Sequence, residues 1–180
     1  MNNREIAKLY KEKRYFLMKE LEESDPDFIP GKKLVFYSLT TIIALMLINL
    51  VLGISFHVKY NIAFTSKELF ILVWPLFLSF VFARLIYSFG SKIFIFLLLL
   101  GGIAGLCMAY INNVFTFLNT ESLLLNMIST FTIITALIQI ISMLFILMNK
   151  KCKTYFRLRL EYNKKLSEEL KTINDKVNVS

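Results

Sequence analysis

A stretch of 26 residues without a charged side chain, Ile93 to Leu118, constrains the fold of this chain more than any other feature. At about 1.5 Å of rise per residue, a helix of that length exceeds the roughly 30 Å hydrocarbon core of a bilayer. Backbone groups have no water to bond in that core, so a spanning segment must satisfy them within a helix. The stretch therefore predicts a membrane-spanning helix.

Three further stretches have the length and apolar character of a span, so the sequence predicts four spans in all. The short links between the second, third and fourth spans leave room only for tight turns. We therefore expect an all-α polytopic membrane protein built as an antiparallel four-helix transmembrane bundle. The predicted spans cover residues 34–56, 69–89, 93–118 and 123–148.

Charge is concentrated in the two arms outside these spans, and only six of the 34 charged side chains lie between Leu34 and Met148. In both arms apolar residues recur every three or four positions, which is typical of an amphipathic helix. Pro26 and Pro30 disfavour helix and predict a linker after the first arm. The chain is thus divided into an amphipathic helix with its Pro-containing linker, the membrane bundle, and a basic amphipathic helix, at residues 1–32, 33–148 and 149–180.

The distribution of Lys and Arg predicts the orientation of the bundle. With four spans, both arms and the link between spans two and three lie on one side, which holds 19 of the 21 basic residues. By the positive-inside rule that side is the cytoplasm. We therefore predict a multi-pass protein of the cell (plasma) membrane with both termini cytoplasmic. The abundance of Lys, Asn, Ile and Phe is typical of a low-GC bacterium.

The spans lack the side chains on which most intramembrane chemistry depends. Proton-coupled export needs an ionisable residue within a span, an aspartyl peptidase needs two carboxylates that share a site, and a thiol oxidase needs paired cysteines. Arg84 is the only charged side chain in the four spans, and His57 is the only histidine of the chain. We expect no catalysis, no cofactor and no metal site. The net charge of +8 lies beside the spans, so we also expect no nucleic-acid binding.

Small residues in span three predict close helix packing. Gly101, Gly105 and Ala109 recur at four-residue spacing, and small residues at such spacing let two helices approach closely in lipid. The seam is interpreted either as packing within the bundle or as the contact between copies in a homo-oligomer.

Span four carries a stripe of uncharged polar residues, which continues onto Asn49 of span one. In lipid such groups pair with one another across helices. They are interpreted either as hydrogen-bonded contacts between helices or as a narrow polar path between spans one, three and four, with Asn49 and Gln139 as its most buried members. The stripe comprises Asn49, Asn126, Thr132, Thr135, Gln139 and Ser142.

Basic residues beside the spans suit the anionic headgroups of the cytoplasmic leaflet. The arms are expected to pack on each other, to lie on the membrane surface or to bind a protein partner. The residues expected to contact lipid headgroups are Arg84, Lys150, Lys151, Lys153 and Arg157.

These observations predict a small integral membrane protein that acts by binding, as an accessory, regulatory or immunity-type partner of another membrane or secreted protein. The alternative is an oligomeric small transporter or channel subunit that uses the polar path. A lipid-modifying enzyme is the third hypothesis, and it would require Arg84, His57 or the outer glutamates Glu68 and Glu121 to act in catalysis.

Overall fold

The computed structural model describes residues 3–61, 63, 65–111 and 123–179. Regular secondary structure in these residues is entirely helical, which confirms the predicted all-α class for them. The end of the predicted third span, the turn after it and Glu121 lie outside the described residues. The six helices are α1 (Asn3–Ser24), α2 (Phe28–Lys59), α3 (Ser66–Phe89), α4 (Lys92–Ile111), α5 (Leu123–Met148) and α6 (Lys150–Val179).

Three apolar segments of these helices are long enough to cross a membrane, and they indicate a membrane protein. The second predicted span, residues 69–89, falls on α3, which contains Pro75 and whose apolar part among the described side chains is Val73–Phe89. The three candidate spans are Phe28–Lys59, Lys92–Ile111 and Asn126–Met148.

The second helix begins earlier than the sequence suggests. The apolar pattern predicts a span from residue 34, after a linker that contains Pro30, but α2 begins at Phe28. Pro30 is the third residue of the helix, where the backbone N–H has no intrahelical acceptor, so proline costs no hydrogen bond there. The break between α1 and α2 is confined to residues 25–27, in which the Asp25 side chain accepts the N–H of Asp27.

Helices α2, α3, α4 and α5 form a ring in which each helix packs against two neighbours. The contact between α4 and α5 is the most extensive, and α3 packs more loosely on α4 than α5 does. The buried core gathers at the end of the ring where α2 and α4 begin and α3 and α5 end. Its members from the ring include Val35, Leu39, Ile42, Ala83, Ile86, Ile95, Leu98, Met143 and Ile146.

Candidate functional site

The start of α6 is set by one residue, Asn149, which is the only non-helical position between α5 and α6. Its side-chain oxygen accepts the N–H groups of Lys151 at 2.9 Å and Cys152 at 3.3 Å. Asparagine is a preferred N-cap because its side chain satisfies N–H groups that the first turn leaves free. A single residue therefore separates the end of α5 from the start of α6.

A glycine lets α6 approach α2 at backbone distance. Gly31 is buried, and a Cβ added there would overlap the carbonyl group of Lys151. Beside this contact the ring of Phe28 lies 5.5 Å from that of Tyr155, centroid to centroid. Glycine is the residue that permits such an approach, because it has no side chain to separate the two backbones.

Among the described residues, the first half of α6 contributes more buried aromatic side chains than any helix of the ring. Tyr155 is the largest fully buried side chain among the described residues, and Phe156 is buried beside it. Burying a side chain of this size contributes on the order of 2 kcal/mol. The apolar stripe of α6 is thus used inside the protein, where it covers the end of the ring. Among residues 150–172, whose side chains are described, the buried residues of α6 are Cys152, Tyr155, Phe156, Leu158 and Tyr162.

Three polar side chains on one face of α6 bond three consecutive backbone carbonyls at the end of α3. The last carbonyls of a helix lack intrahelical partners, so these donors cap α3 from another part of the chain. The donors are spaced by four residues and therefore share one face of α6. The bonds run from Tyr155 Oη to the Tyr87 carbonyl, from Arg159 Nε to the Ser88 carbonyl at 2.8 Å, and from Asn163 Nδ2 to the Phe89 carbonyl at 3.1 Å.

Arg159 also connects this cap to α1. Its Nη1 lies 3.5 Å from the sulfur of Met18, and its guanidinium lies 4.9 Å from the centre of the Tyr162 ring. A cation over an aromatic face is attracted by the ring quadrupole. One side chain therefore joins α1, α6 and the end of α3.

Burial disfavours the ionised forms of two side chains of α6, Cys152 and Tyr155. Burial raises the pKa of the Cys152 thiol to about 11. Burial also raises the pKa of the Tyr155 phenol, while the charge of Arg159 acts in the opposite direction and is the smaller effect. A thiol with a raised pKa is a poor nucleophile near neutral pH because little thiolate is present. Cys152 and Tyr155 therefore serve packing and hydrogen bonding.

Helix α1 packs along α6, and the two together are called the α1–α6 pair. The hydroxyl of Tyr162 donates to the Arg14 carbonyl at 3.5 Å. Two ion pairs join the helices and a third joins α6 to Asp25, just after α1. Most of the side chains involved are exposed, so each pair contributes at most about 1 kcal/mol. They are Lys13–Glu169 at 3.0 Å, Lys165–Glu20 at 3.7 Å and Arg157–Asp25 at 3.6 Å.

A cleft of about 250 Å³ lies between the two helices. Its floor is apolar and its rim carries both signs of charge. Arg157, one of the predicted lipid-contacting residues, belongs to the rim. The floor comprises Leu17, Leu21, Leu158 and Tyr162, and the charged rim comprises Glu20, Asp25, Arg157, Glu161 and Lys165.

The other predicted lipid-contacting residues are exposed. Arg84 lies on α3, and Lys150, Lys151 and Lys153 lie in the first turn of α6. On α6, Lys153 and Arg157 are each two residues from Tyr155, and Tyr155 faces the bundle. Residues two apart on a helix lie on opposite sides, so these two cations point away from the bundle. Contact with lipid headgroups remains a prediction for all of them.

The polar stripe of α5 makes hydrogen bonds to both neighbouring helices. Asn49 Nδ2 of α2 donates to Thr135 Oγ1 at 2.7 Å, and Gln139 Nε2 donates to the Leu98 carbonyl of α4 at 2.6 Å. The amide oxygen of Asn49 is buried and has no hydrogen-bond partner among the described residues.

The depths of the stripe residues differ from the expectation. Gln139 is buried as expected, but Asn49 is only half-buried. Two residues of α5, Thr135 and Ser129, are more deeply buried than Asn49. Thr132, whose hydroxyl donates to the Ile128 carbonyl at 2.8 Å, is half-buried, as are Asn126 and Ser142.

The small residues of α4 face α5 within the chain. A Cβ added at Gly101 would lie 3.4 Å from Gln139 Nε2, and one added at Gly105 would lie 3.6 Å from Ala136 Cβ. Ala109 is buried. The closest approach is at Gly102, which the four-residue spacing does not include and where a Cβ would lie 2.9 Å from Ile140 Cγ1. An oligomeric role for the seam stays a prediction.

Sequence reasoning predicted an apolar stripe on the last helix but missed the residues that seat this helix. Asn149 carries a usable signal, because an Asn directly before a helical pattern is an N-cap candidate. Gly31 and Arg159 carry no comparable signal, since their partners are distant in sequence. Comparison of the chain with protein-family models, curated proteins and solved structures gave no match.

Proposed function

We propose that the ring of helices α2 to α5 is a four-span antiparallel bundle in a bacterial plasma membrane, with both termini in the cytoplasm. The contacts between α4 and α5 support the antiparallel direction, since Leu98 meets Gln139 while Gly105, later in α4, lies by the earlier Ala136. Helix α3 has 24 residues. At the usual helical rise it is about 36 Å long, which is sufficient to cross the roughly 30 Å hydrocarbon core. With this topology, 19 of the 21 basic residues lie on the cytoplasmic side.

We further propose that the protein acts by binding, as an accessory, regulatory or immunity-type partner of another membrane or secreted protein, without catalysis. The observation that carries this proposal is the anchoring of the α1–α6 pair on the bundle by the three bonds from α6 to the end of α3. A surface that is already ordered loses little conformational entropy when it binds. The cleft suits a protein segment that presents an apolar residue flanked by charges, because it offers an apolar floor with a charged rim.

The alternative, an oligomeric transporter or channel subunit, is favoured by one observation. The buried amide oxygen of Asn49 lacks a hydrogen-bond partner among the described residues, and an unsatisfied buried acceptor is costly. A polar solute or water passing between α2 and α5 would supply the missing donor. The hydrogen bonds of Thr135 and Gln139 to neighbouring helices support a structural role for the rest of the stripe.

Gentle affinity purification from the native membrane, followed by mass analysis of the intact complex, tests the proposal. We expect a distinct protein in fixed ratio. Glu161→Arg, which reverses a charge on the cleft rim, should release it. Glu168→Arg makes the same change on an exposed position of α6 outside the cleft lining and should retain it. Recovery of copies of this chain alone, together with solute flux in liposomes that Asn49→Leu abolishes, would overturn the binding role and support the alternative.

A further inference from the structure

The exposed surface of α1 is divided into a basic face and an acidic face. Successive residues of an α-helix are turned by about 100°, which places most of the exposed basic and acidic side chains of α1 on two adjacent arcs of its surface. The arcs meet where Lys19 pairs with Glu23 at 3.9 Å. All eight residues involved are exposed. The basic face comprises Lys8, Lys11, Tyr15 and Lys19, and the acidic face comprises Glu12, Phe16, Glu20 and Glu23.

The contacts of two neighbouring residues show that the basic face lies on the bundle side of α1. Glu22, three residues after Lys19, receives a 3.0 Å bond from the ammonium of Lys32, near the start of α2. Met18, three residues after Tyr15, contacts Arg159, which itself bonds the end of α3. Glu20 of the acidic face pairs with Lys165 of α6, and the rest of that face consequently points away from the bundle.

The N-terminal part of this face extends past the edge of the bundle. The last hydrogen bond from α6 to the ring among the described residues is made by Asn163, with Phe89. Lys13 of α1 pairs with Glu169, six residues further along α6 and therefore about 9 Å beyond that bond. Lys8 and Lys11 precede Lys13, so they lie further out still. Neither the Lys8 nor the Lys11 side chain forms a hydrogen bond or ion pair among the described residues.

We propose that the basic face of α1 binds the anionic headgroups of the leaflet around the bundle, with Tyr15 placed among the headgroups and Lys8 and Lys11 on their phosphates. Tyrosine suits a membrane–water interface because its ring is apolar and its hydroxyl is polar. Lysines near such a surface are attracted to anionic lipid. The inference rests on the proposed membrane topology but not on a protein partner. It assigns lipid contact to α1, whereas Lys153 and Arg157 of α6 point away from the bundle.

Fluorescence of the full chain in nanodiscs tests this assignment. Trp74 is the only tryptophan, so Trp74→Phe/Tyr15→Trp carries one reporter on the basic face and Trp74→Phe/Phe16→Trp carries one on the acidic face. In discs that contain phosphatidylglycerol, a quencher attached to lipid headgroups should quench the Tyr15 reporter and leave the Phe16 reporter unaffected. In phosphatidylcholine discs, or at high salt, the quenching should be largely lost. Equal quenching of the two reporters, or quenching of Tyr15→Trp that does not depend on lipid charge, would overturn the proposal.

Charge-reversal variants test which of the two terminal helices contacts lipid. Lys8→Glu/Lys11→Glu should abolish the quenching of the Tyr15 reporter, and the matched pair Lys150→Glu/Lys153→Glu on α6 should leave it unchanged. The opposite result would assign lipid binding to α6 and overturn the proposal. All four lysines are exposed, so folding should be unaffected. Retention of both variants in the membrane after carbonate extraction shows that the bundle is intact, and co-purification of a partner is read independently.

Discussion

The two terminal helices have similar patterns of apolar and charged residues, yet the protein uses them differently. Helix α6 buries Cys152, Tyr155 and Phe156 in one core with the ring. Helix α1 has no fully buried residue among those whose side chains are described, and it reaches α6 through half-buried leucines and exposed ion pairs. An amphipathic pattern therefore predicts that one face of a helix is covered. It does not predict whether a protein core, another helix or a lipid surface covers that face.

This difference implies an order of local stability. Regions with little buried apolar surface open at lower free energy than core elements do. We therefore expect α1 to separate from the molecule before α6, and the predictions below test this order from the largest expected effect to the smallest.

Replacing Gly31 with leucine should have the largest effect, a loss of about 3 kcal/mol or more in unfolding free energy. The added side chain would overlap the Lys151 carbonyl, so α6 must move off the ring, and overpacking of this kind is costly. Thermal unfolding in detergent and tryptic cleavage within residues 150–165 measure the effect. Gly105→Ala is the control, because its Cβ would make only an ordinary contact with Ala136. Equal stability of the two variants would show that α6 is not seated on α2.

Two arginines on α6 offer a matched comparison between the core face and the outer face. Arg159→Ala should cost about 2 kcal/mol, because it removes a charged donor from the Ser88 carbonyl. Arg157→Ala should cost no more than about 0.5 kcal/mol, because it removes only an exposed ion pair with Asp25. Chemical denaturation in one detergent compares them. A larger loss of stability for Arg157→Ala would show that Arg157, and not Arg159, lies on the face of α6 that packs on the bundle.

Removing the N-cap of α6 should have an intermediate effect. Asn149→Ala is expected to destabilise the protein by about 1 kcal/mol, because two N–H groups at the start of the helix lose their acceptor. Asn149→Ser should recover most of this loss, since serine also caps helices. The same denaturation experiment measures both variants, and an unaffected Asn149→Ala would show that the side chain does not act as a cap.

Salt should loosen α1 and leave α6 in place. The pairs that hold α1 are exposed, so raising the salt concentration screens them. Helix α6 is held by buried apolar contacts and by hydrogen bonds to backbone carbonyls, which salt weakens much less. We expect faster hydrogen exchange in α1 at high salt, with α6 residues 152–162 unchanged. Parallel changes in both helices would indicate that they open as one unit.

The smallest effect at neutral pH concerns Cys152, whose thiol pKa is raised from 9.0 to about 11 by burial. The unfolded chain releases this proton near pH 9, but the folded chain retains it until about pH 11. Protonation of the buried Cys152 thiol therefore stabilises the folded chain fully below about pH 9, and this contribution is lost as the pH rises through about 11.

In a Cys107→Ser background, alkylation of Cys152 should be slow at pH 8 and much faster in Gly31→Leu. Rapid alkylation of the otherwise native chain would contradict the burial of α6.

Local patterns in the sequence were sufficient to predict the all-α class and three of the helices with membrane-spanning character, because long apolar segments without charge have few other structures available. They also gave contact with other helices as one of two interpretations, both for the polar groups of α5 and for the small residues of α4. The depth of Asn49 and the close approach at Gly102 escaped prediction, because both depend on how far a neighbouring helix is shifted along its axis.

The sequence by itself determined which segments are helices and which of their faces are apolar, since both depend on residues within a few turns of each other. Only the tertiary structure decided that α6 covers the end of the ring while α1 turns a basic face to the bundle side. The decisive contacts join residues far apart in the chain, such as Met18 with Arg159 across 141 positions and Tyr155 with Tyr87 across 68. Their formation depends on complementary shapes and on unpaired carbonyls that exist only after the ring has packed.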